Sequence, residues 1–443
     1  MQSRLIVRNF GPIKFVDLDL RNVNVFIGPQ ASGKSALAKL YTIFKAPRKF
    51  LKNVNNSAIK DSSNYVSFKD VLDEYNIISF LKPETEIEFH SELHVLSYKN
   101  IHITYEPKLL KRIWYLEKLK ENFETNRKEI ISEISALCEK NMILNISVRL
   151  HFMDIIDTKE HLKETKDLEN FQNINEEELD ELIVVIKEIE ANLSTNACLY
   201  IPSERNFVNI IKKASLNLLL NNVPIPKHIL SFGAELEKVT PENIDLSFLH
   251  ENLMYKSING EDRIFTDKEN NIKLTEAASG IQSVLPILIP ILSHSYSFLP
   301  YQRSFVIEEP ELNLFPLAQY ELIKLLESVR KNATGEDDKD YKEYEDFGTT
   351  HTYTTHSPYI LSALNNLLYA NKIIASKGDK IKEQVKEIIS VDISPLYFTA
   401  YQINNGAADS IFDRETGLIK DNYIDAASDK MTDDFDALME LMK

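Results

Sequence analysis

The segment Gly28–Ser35 constrains this chain more than any other feature of its sequence. It consists of Gly28, Pro29, Gln30, Ala31, Ser32, Gly33, Lys34 and Ser35, and it lies between the apolar run Val23–Ile27 and the helix-forming stretch 36–44. A strand, a tight turn and a helix N-terminus in this order point backbone N–H groups and the positive end of a helix dipole at an anion. Only 11 of 443 residues are glycine, so chance is a weak explanation for this spacing. We predict a phosphate-binding loop, with Lys34 facing the phosphates of ATP and Ser35 binding Mg²⁺.

Two adjacent acids nearly 300 residues downstream supply the second half of such a site. The apolar segment from Ser304 ends in Glu308 and Glu309, which are followed by Pro310. A nucleotide hydrolase needs one carboxylate to hold magnesium and another to polarise the attacking water. We assign Glu308 to the metal and Glu309 to the water. The alternative is a strand that ends in solvated acids.

Two further motifs specify the kind of hydrolase. Ser279, Gly280 and Gln282 precede the apolar run Val284–Leu292, which places them at a second helix N-terminus. One phosphate chain cannot use both helix ends within one subunit. His356 ends a short predicted strand, where it can hydrogen-bond a γ-phosphate. Taken singly, the first motif is equally consistent with an ordinary helix cap, and a lone histidine is more often structural.

The order of these four motifs resembles that of ABC-type ATPases of the AAA family, in the branch that contains the RecF and SMC heads and the OLD-like ATPases. The opening Leu5–Ile13 is similar to the first hairpin of that branch, whose turn, here Asn9 and Phe10, lies near the adenine. The segment Tyr200–Arg205 also resembles a segment of OLD-like ATPases. The chain departs from the usual pattern at Glu308, where aspartate is common, and at Phe315, where histidine is frequent.

The resemblance implies roles for the motifs and a fold. Ser279, Gly280 and Gln282 would form the signature motif that closes on ATP bound to another subunit, and His356 would be the switch histidine. The implied fold class is α/β, an ABC-ATPase head with a mixed sheet: an antiparallel first lobe, a P-loop sheet flanked by helices, and a helical insertion. We expect head halves at residues 1–105 and 196–443, and an insertion at 106–195.

Within the insertion, apolar spacing predicts a pair of helices at 109–137 and 177–193 with an extended stretch 142–154 between them. Further along the chain we predict a polar loop at 331–348, two closing strands at 396–402 and 411–419, and a last helix at 427–442.

Composition predicts the cellular compartment of the protein and whether DNA is a partner. The two cysteines lack the spacing of a disulfide scaffold or zinc site, no leader opens the chain, and the longest apolar stretch is too short for a membrane span. These features predict a cytoplasmic protein. With 51 basic and 67 acidic residues the net charge is −16, so tight DNA binding is not expected. About 85 residues follow His356, too few for an added Toprim-type nuclease domain.

Three function classes follow from the sequence. The first is an ATP-dependent sensor or scaffold of a bacterial antiphage system, similar to the nuclease-lacking ATPases of PARIS and Septu. Its expected partners are a second copy of itself, a separate effector such as a nuclease, and a phage-encoded trigger. The second is a RecF-like repair ATPase, which would need a basic patch on its dimer face. The third, the energising subunit of a transporter, fits poorly with the large insertion.

Overall fold

The computed structural model describes residues 3–47, 68–140 and 198–441, with gaps inside the last two ranges, and parts of 176–184. The strands are β1 Ser3–Phe10, β2 Ile13–Leu20, β3 Val23–Ile27, β4 Leu81–His90, β5 His94–Lys99, β6 His102–Pro107, β7 Cys198–Ile201, β8 Asn243–Asp245, β9 Met254–Ile258, β10 Glu261–Phe265, β11 Asn271–Lys273, β12 Ser304–Glu308, β13 Thr350–Thr354, β14 Phe398–Asn404, β15 Ala407–Ser410, β16 Phe412–Asp413 and β17 Leu418–Ile419. The helices are α1 Lys34–Lys45, α2 Phe68–Glu74, α3 Phe123–Lys140, α4 Lys227–Glu237, α5 Ser279–Ser295, α6 Pro316–Asn332, α7 Pro358–Lys377, α8 Asp379–Ile388 and α9 Tyr423–Glu440.

A six-stranded sheet positions the predicted site. Its order is β15-β14-β3-β13-β12-β7, and every neighbouring pair is parallel except β14–β15. Each residue of β3, β12 and β13 is buried, as expected for parallel strands covered on both faces. Because β13 pairs with both β3 and β12, the carboxyl ends of these three strands meet at one edge of the sheet. The loop Gly28–Ser35 follows β3, Glu308 is the last residue of β12, and His356 follows β13, so all three lie at this edge.

A second sheet is wholly antiparallel, in the order β2-β1-β4-β5-β6. Its inner face shares a core with helix α1, including Leu5, Val7, Leu37 and Phe89. The predicted α/β class, with an antiparallel first lobe and a sheet flanked by helices, is thus confirmed. The sequence did not indicate strand β5 or the small sheet β11-β10-β9-β8.

Helix α5 contains two prolines, Pro286 and Pro290, yet it is continuous and packed in the main core. Proline removes the N–H that would bond to the carbonyl four residues earlier. For Pro286 that carbonyl belongs to Gln282, and the side-chain amide of Asn209 donates to it at 3.3 Å. A side chain from outside the helix therefore replaces one lost backbone bond.

The C-terminal region corrects two predictions. The stretch 411–419 was expected to form one strand, which is wrong. It forms the two short strands β16 and β17, because Asp413 accepts hydrogen bonds from the Glu415 N–H and the Thr416 hydroxyl and so closes a turn between them. The last helix was expected from Ala427, but α9 begins at Tyr423, where Asn422 and Asp425 form a capping box.

The insertion is described only in part. Lys120 forms an ion pair with Asp180, which joins the two segments where a pair of helices was predicted. Ile130 and Leu182 are buried there, as the apolar spacing indicates. The predicted extended stretch 142–154 and most of the predicted loop 331–348 lie outside the described residues. The boundaries at 105 and 195 stay a prediction.

A buried ionic network fixes strand β13 against helix α6. Glu327 contacts Arg330 at 2.6 Å, His351 at 3.2 Å and the Tyr353 hydroxyl at 2.7 Å. Burial alone would raise the pKa of Glu327, but Arg330 and His351 outweigh that effect and hold it at about 2. Glu327 therefore stays ionised inside the core, and β13 is held in place a few residues before His356. Among the described helices, none combines the length and apolar character needed to cross a membrane.

Candidate functional site

The loop after β3 is shaped around a glycine that no other residue can replace. Gly28 has φ 152°, and a Cβ built there would lie 2.2 Å from the carbonyl oxygen of Ile403 in β14. Helix α1 begins at Lys34, whose ammonium folds back and donates to the carbonyls of Gly28 and Pro29, both at 2.8 Å. The Ser32 hydroxyl is buried and has no hydrogen-bond partner among the described residues. A phosphate oxygen in the loop would satisfy both groups, so the residues present fit a nucleotide phosphate.

Three carboxylates near the end of β12 balance the charge of Lys34. Burial lowers the pKa of Lys34, and the carboxylates of Glu309, Glu308 and Glu311 oppose that shift. The predicted loop and the predicted acids are therefore close enough to interact electrostatically, although they are nearly 300 residues apart in sequence.

Glu308 and Ser35 are the residues predicted to hold magnesium, and the structure brings them together. Glu308 ends β12 with only 3% of its surface exposed. Burial raises the pKa of its carboxyl, while the hydroxyls of Tyr200 and Ser35 and the ammonium of Lys39 oppose the shift. Its Oε1 is buried and lacks a hydrogen-bond partner among the described residues. A hard cation satisfies such an oxygen, so the donor set fits Mg²⁺.

Glu309 and His356 face each other across the mouth of the site. The Nε2 of His356 lies 3.7 Å from Oε1 of Glu309, and both side chains are about one-third exposed, at 32% and 34%. Burial lowers the pKa of His356, and the nearby charge of Lys34 lowers it further, so the imidazole is neutral at pH 7. This pair is accessible to a small ligand and to water, in contrast to the buried Glu308.

Glu311 is a site residue that the sequence reasoning missed. Its Oε1 accepts hydrogen bonds from the Thr355 hydroxyl at 2.7 Å and from the backbone N–H of His356 at 2.8 Å. The carboxylate thus locks the loop after β13 onto the turn after β12. The signal was a third acid two residues after Glu309, but sequence alone does not show which donors an acid meets.

Arg205 is the second residue that was missed, and it is completely buried. Its guanidinium donates to four backbone carbonyls, those of Pro202 at 3.2 Å, Ser283 at 2.8 Å, Glu308 at 2.6 Å and Glu309 at 2.8 Å. Burial lowers its pKa to about 10, with Glu311, Glu309 and Glu308 opposing, so Arg205 keeps its charge at pH 7. One side chain therefore joins the loop after β7, helix α5 and the turn that carries both predicted acids.

The predicted signature residues lie at the exposed start of α5. Ser279 is exposed, and a Cβ on Gly280 would lie 2.8 Å from the carbonyl oxygen of Asn313, so the helix start packs tightly on the loop after the acids. The Gln282 side-chain amide donates to the carbonyl of Ala277 at 2.8 Å. Gln282 is thus engaged within its own chain, and its contact with a nucleotide stays a prediction.

The turn predicted to lie near the adenine has a buried and an accessible part. The ring of Phe10 is fully buried and packs edge-on against Phe80, with centroids 5.8 Å apart. Asn9 has φ 53°, and its side-chain amide donates to the carbonyl of Glu84 at 3.3 Å. The adenine contact of Asn9 and Phe10 stays a prediction.

A known protein family matches the part of the chain that contains the whole site. A family model described as the AAA ATPase domain matches residues 1–361, a range that includes the phosphate loop, the acids and His356. No curated protein matches the chain. Among solved structures, the chain is similar to an SMC head bound to the C-winged helix domain of ScpA, at 8% identity and TM-score 0.39, covering 93% of this chain and 96% of that one. It is also similar to the SMC head domain from Thermotoga maritima, at 11% identity and TM-score 0.36, with 93% and 98% covered. A third similar structure is the recombination mediator protein RecF, at 12% identity and TM-score 0.30, again with 93% and 98% covered.

Replacing Arg205 with methionine should destabilise the protein strongly, because four carbonyls lose their donor, three of them in buried hydrogen bonds. We expect the free energy of unfolding to fall by at least about 3 kcal/mol in urea denaturation, since each unsatisfied buried group costs ~1–3 kcal/mol. Arg263→Met is the matched control: Arg263 also makes several hydrogen bonds, but its side chain is 32% exposed. It should lose no more than about 1 kcal/mol. Equal losses in the two variants would contradict the role given to Arg205.

Proposed function

The chain belongs to the AAA ATPase domain family, and on that premise we propose that it binds ATP with Mg²⁺ at Gly28–Ser35 and hydrolyses it. One observation carries the proposal. The adjacent ends of β3, β12 and β13 bring the glycine-containing loop Gly28–Ser35, a buried carboxylate with an oxygen that has no partner among the described residues, and an accessible Glu–His pair to one edge of the sheet. These are the parts that phosphoryl transfer to water requires.

Each part has a distinct task in this proposal. The backbone of Gly28–Ser35 and the ammonium of Lys34 hold the phosphates. Ser35 and Glu308 hold Mg²⁺, which would neutralise charge that develops on the phosphate oxygens. Glu309 accepts a proton from the attacking water, and neutral His356 beside it hydrogen-bonds the water or the terminal phosphate. Glu311 and Arg205 hold this pair in position: Glu311 accepts a hydrogen bond from the backbone N–H of His356, and Arg205 donates one to the backbone carbonyl of Glu309.

We propose that a complete site needs two copies of the chain. The head halves, 1–105 and 196–443, would form one ABC-type ATPase head, and residues 106–195 its insertion. Ser279 lies exposed at a helix N-terminus, where the dipole favours an anion. In the segment that follows Asn313 and Leu314, against which Gly280 packs, Phe315 is 83% and Leu317 is 70% exposed. A second head that covers this surface would bury them and bring its own phosphate loop to Ser279 and Gly280.

In the cell, we propose a sensor or scaffold in the cytoplasm that responds to a phage-encoded trigger and controls a separate effector, such as a nuclease. The resemblance of Tyr200–Arg205 to a segment of OLD-like ATPases supports this role, and the net charge of −16 disfavours DNA as the main partner. A RecF-like repair ATPase is the alternative. Purified protein that binds duplex DNA tightly at ~150 mM salt without a partner would favour that alternative.

Glu309→Gln should bind ATP normally and hydrolyse it slowly. The amide keeps the shape of the side chain but cannot take the proton, so turnover should fall roughly 10²- to 10⁴-fold. Phosphate release and calorimetry measure the two properties separately. Glu308→Gln should weaken Mg²⁺-dependent binding instead. If Glu308→Gln keeps Mg²⁺-ATP and abolishes turnover while Glu309→Gln turns over normally, the two assignments are reversed.

Ser279→Arg should block assembly of the composite site without affecting the loop that holds the phosphates. The added side chain fills the exposed helix end, so ATP-driven dimerisation and hydrolysis should be lost, while each monomer still binds ATP. Sedimentation velocity with Glu309→Gln as the parent protein keeps ATP intact during the measurement. Ser376→Arg, at an exposed position in the last turn of α7, is the control and should dimerise as the parent does. Dimerisation of Ser279→Arg would refute the composite site.

A further inference from the structure

Helix α9 is anchored at its first turn and exposed over the rest of its length. The Tyr423 hydroxyl donates to the Gly28 carbonyl at 3.0 Å, and the Tyr423 N–H donates to the Gln402 side chain at 2.9 Å. Ile424 is buried in the main core. Every residue from Asp425 to Glu440 is exposed. The helix therefore starts at the phosphate loop and projects from the head.

The exposed part of α9 has two opposite faces. Met431, Phe435 and Leu438, with Met439 beside them, recur at spacings of four and three residues and are 72%, 62%, 62% and 50% exposed. We call these four residues the apolar stripe. The acids Asp425, Asp429, Asp433 and Glu440 lie on the other face, and Asp436 lies at the edge of that face nearest the stripe. Asp434, which borders the stripe, is paired with Lys430 at 2.6 Å.

An exposed apolar stripe on a helix that is packed only at its first turn indicates that another surface covers the stripe. Most helical stability in proteins comes from packing of an apolar face, and α9 packs on the head only at its first turn. The capping box and the Lys430–Asp434 pair contribute to the helix, but neither removes the apolar stripe from water. A surface that buries the stripe would stabilise the helix.

The charge of α9 indicates what kind of surface that is. The helix carries six acids and one lysine. A second copy would bring an equally acidic helix alongside, and like charges at close range oppose such pairing. An apolar groove edged by lysine or arginine would instead complement both the stripe and the carboxylates that border it, Asp434 and Asp436.

We propose that α9 is the docking helix for a second, different protein, which receives the apolar stripe in a groove edged by basic side chains. Docking is coupled to the nucleotide through Gly28, whose carbonyl accepts hydrogen bonds from both Lys34 and Tyr423. When Lys34 turns toward a phosphate, Tyr423 becomes the remaining donor to that carbonyl, and the anchor of α9 changes. The coupling rests on the proposed nucleotide site, whereas the docking itself does not.

The docking is tested by site-specific photo-crosslinking in the organism that carries the gene. A benzophenone amino acid in place of Phe435 should crosslink a different protein, at a peptide flanked by lysine or arginine. The same group in place of Ala437, off the stripe, should give no such product. Crosslinks between two copies of this chain, or none at Phe435, would overturn the proposal.

The crosslinked protein, purified, is then the probe for affinity. The double variant Met431→Asp, Phe435→Asp should bind it at least about 30-fold more weakly, as expected for loss of central apolar anchors. Ala437→Asp adds the same kind of charge off the stripe and should bind as wild type does. Binding should also weaken from ~50 to ~500 mM salt, where exposed charges are screened. Equal affinity of both variants, or no effect of salt, would overturn the proposal.

The coupling is tested with the same probe, with and without a non-hydrolysable ATP analogue. The affinity of the wild type should differ about fivefold or more between the two conditions, within the usual range for coupled sites. Tyr423→Phe keeps the ring but lacks the hydroxyl, so its two affinities should be equal. Equal affinities in the wild type would overturn the coupling. If the analogue does not bind to the wild type at all, the proposed nucleotide site fails, while the docking measured without nucleotide stands.

Discussion

The site depends on the hydrogen bonds that the buried guanidinium of Arg205 donates to backbone carbonyls. Burying a charge costs several kcal/mol unless its hydrogen bonds are met, and four carbonyls meet those of Arg205. Two of them belong to Glu308 and Glu309, so the turn that carries the predicted metal ligand and the predicted base is fixed through its backbone. Their carboxylates take no part in these bonds, and Oε1 of Glu308 has no hydrogen-bond partner among the described residues. A third carbonyl, of Ser283, lies in the first turns of α5, which ties the exposed helix end to the same turn.

The contacts around Arg205 link helix α5 to the turn that carries Glu308 and Glu309, so a movement of one would displace the other. Movement of α5 when a second head engages would act on Ser283 and, through the guanidinium, on the acid turn. Glu311 extends the connection to His356 by accepting its backbone N–H. On the opposite wall, the Gly28 carbonyl joins the phosphate loop to α9. The site is therefore connected to two surfaces, one that we propose binds a second copy of the chain and one that we propose binds a different protein.

The sequence predicts the parts of this structure that have a local or periodic pattern. The loop Gly28–Ser35 has a fixed spacing, and the buried strands β3 and β12 read as apolar runs, so their convergence with Glu308 follows from parallel pairing. The role of Arg205 could not be predicted from such a pattern, because its hydrogen-bond partners are backbone carbonyls, which every residue has. Helix α5 carries two prolines, and the bond lost at one of them, Pro286, is replaced by Asn209, a residue far away in sequence. The small sheet β11-β10-β9-β8 consists of short, polar strands without clear alternation.

The central claim, that Gly28–Ser35 binds the phosphates of ATP, is tested most directly by calorimetric titration of ATP with Mg²⁺ into the wild type and Lys34→Ala. Lys34 is buried at the start of α1, whereas Lys69 is exposed in the first turn of α2 and provides the matched control, Lys69→Ala. The account predicts that ATP binds to the wild type and to Lys69→Ala with similar affinity, and that Lys34→Ala loses binding while it keeps a cooperative thermal unfolding transition. Equal ATP affinity of Lys34→Ala and the wild type would contradict it.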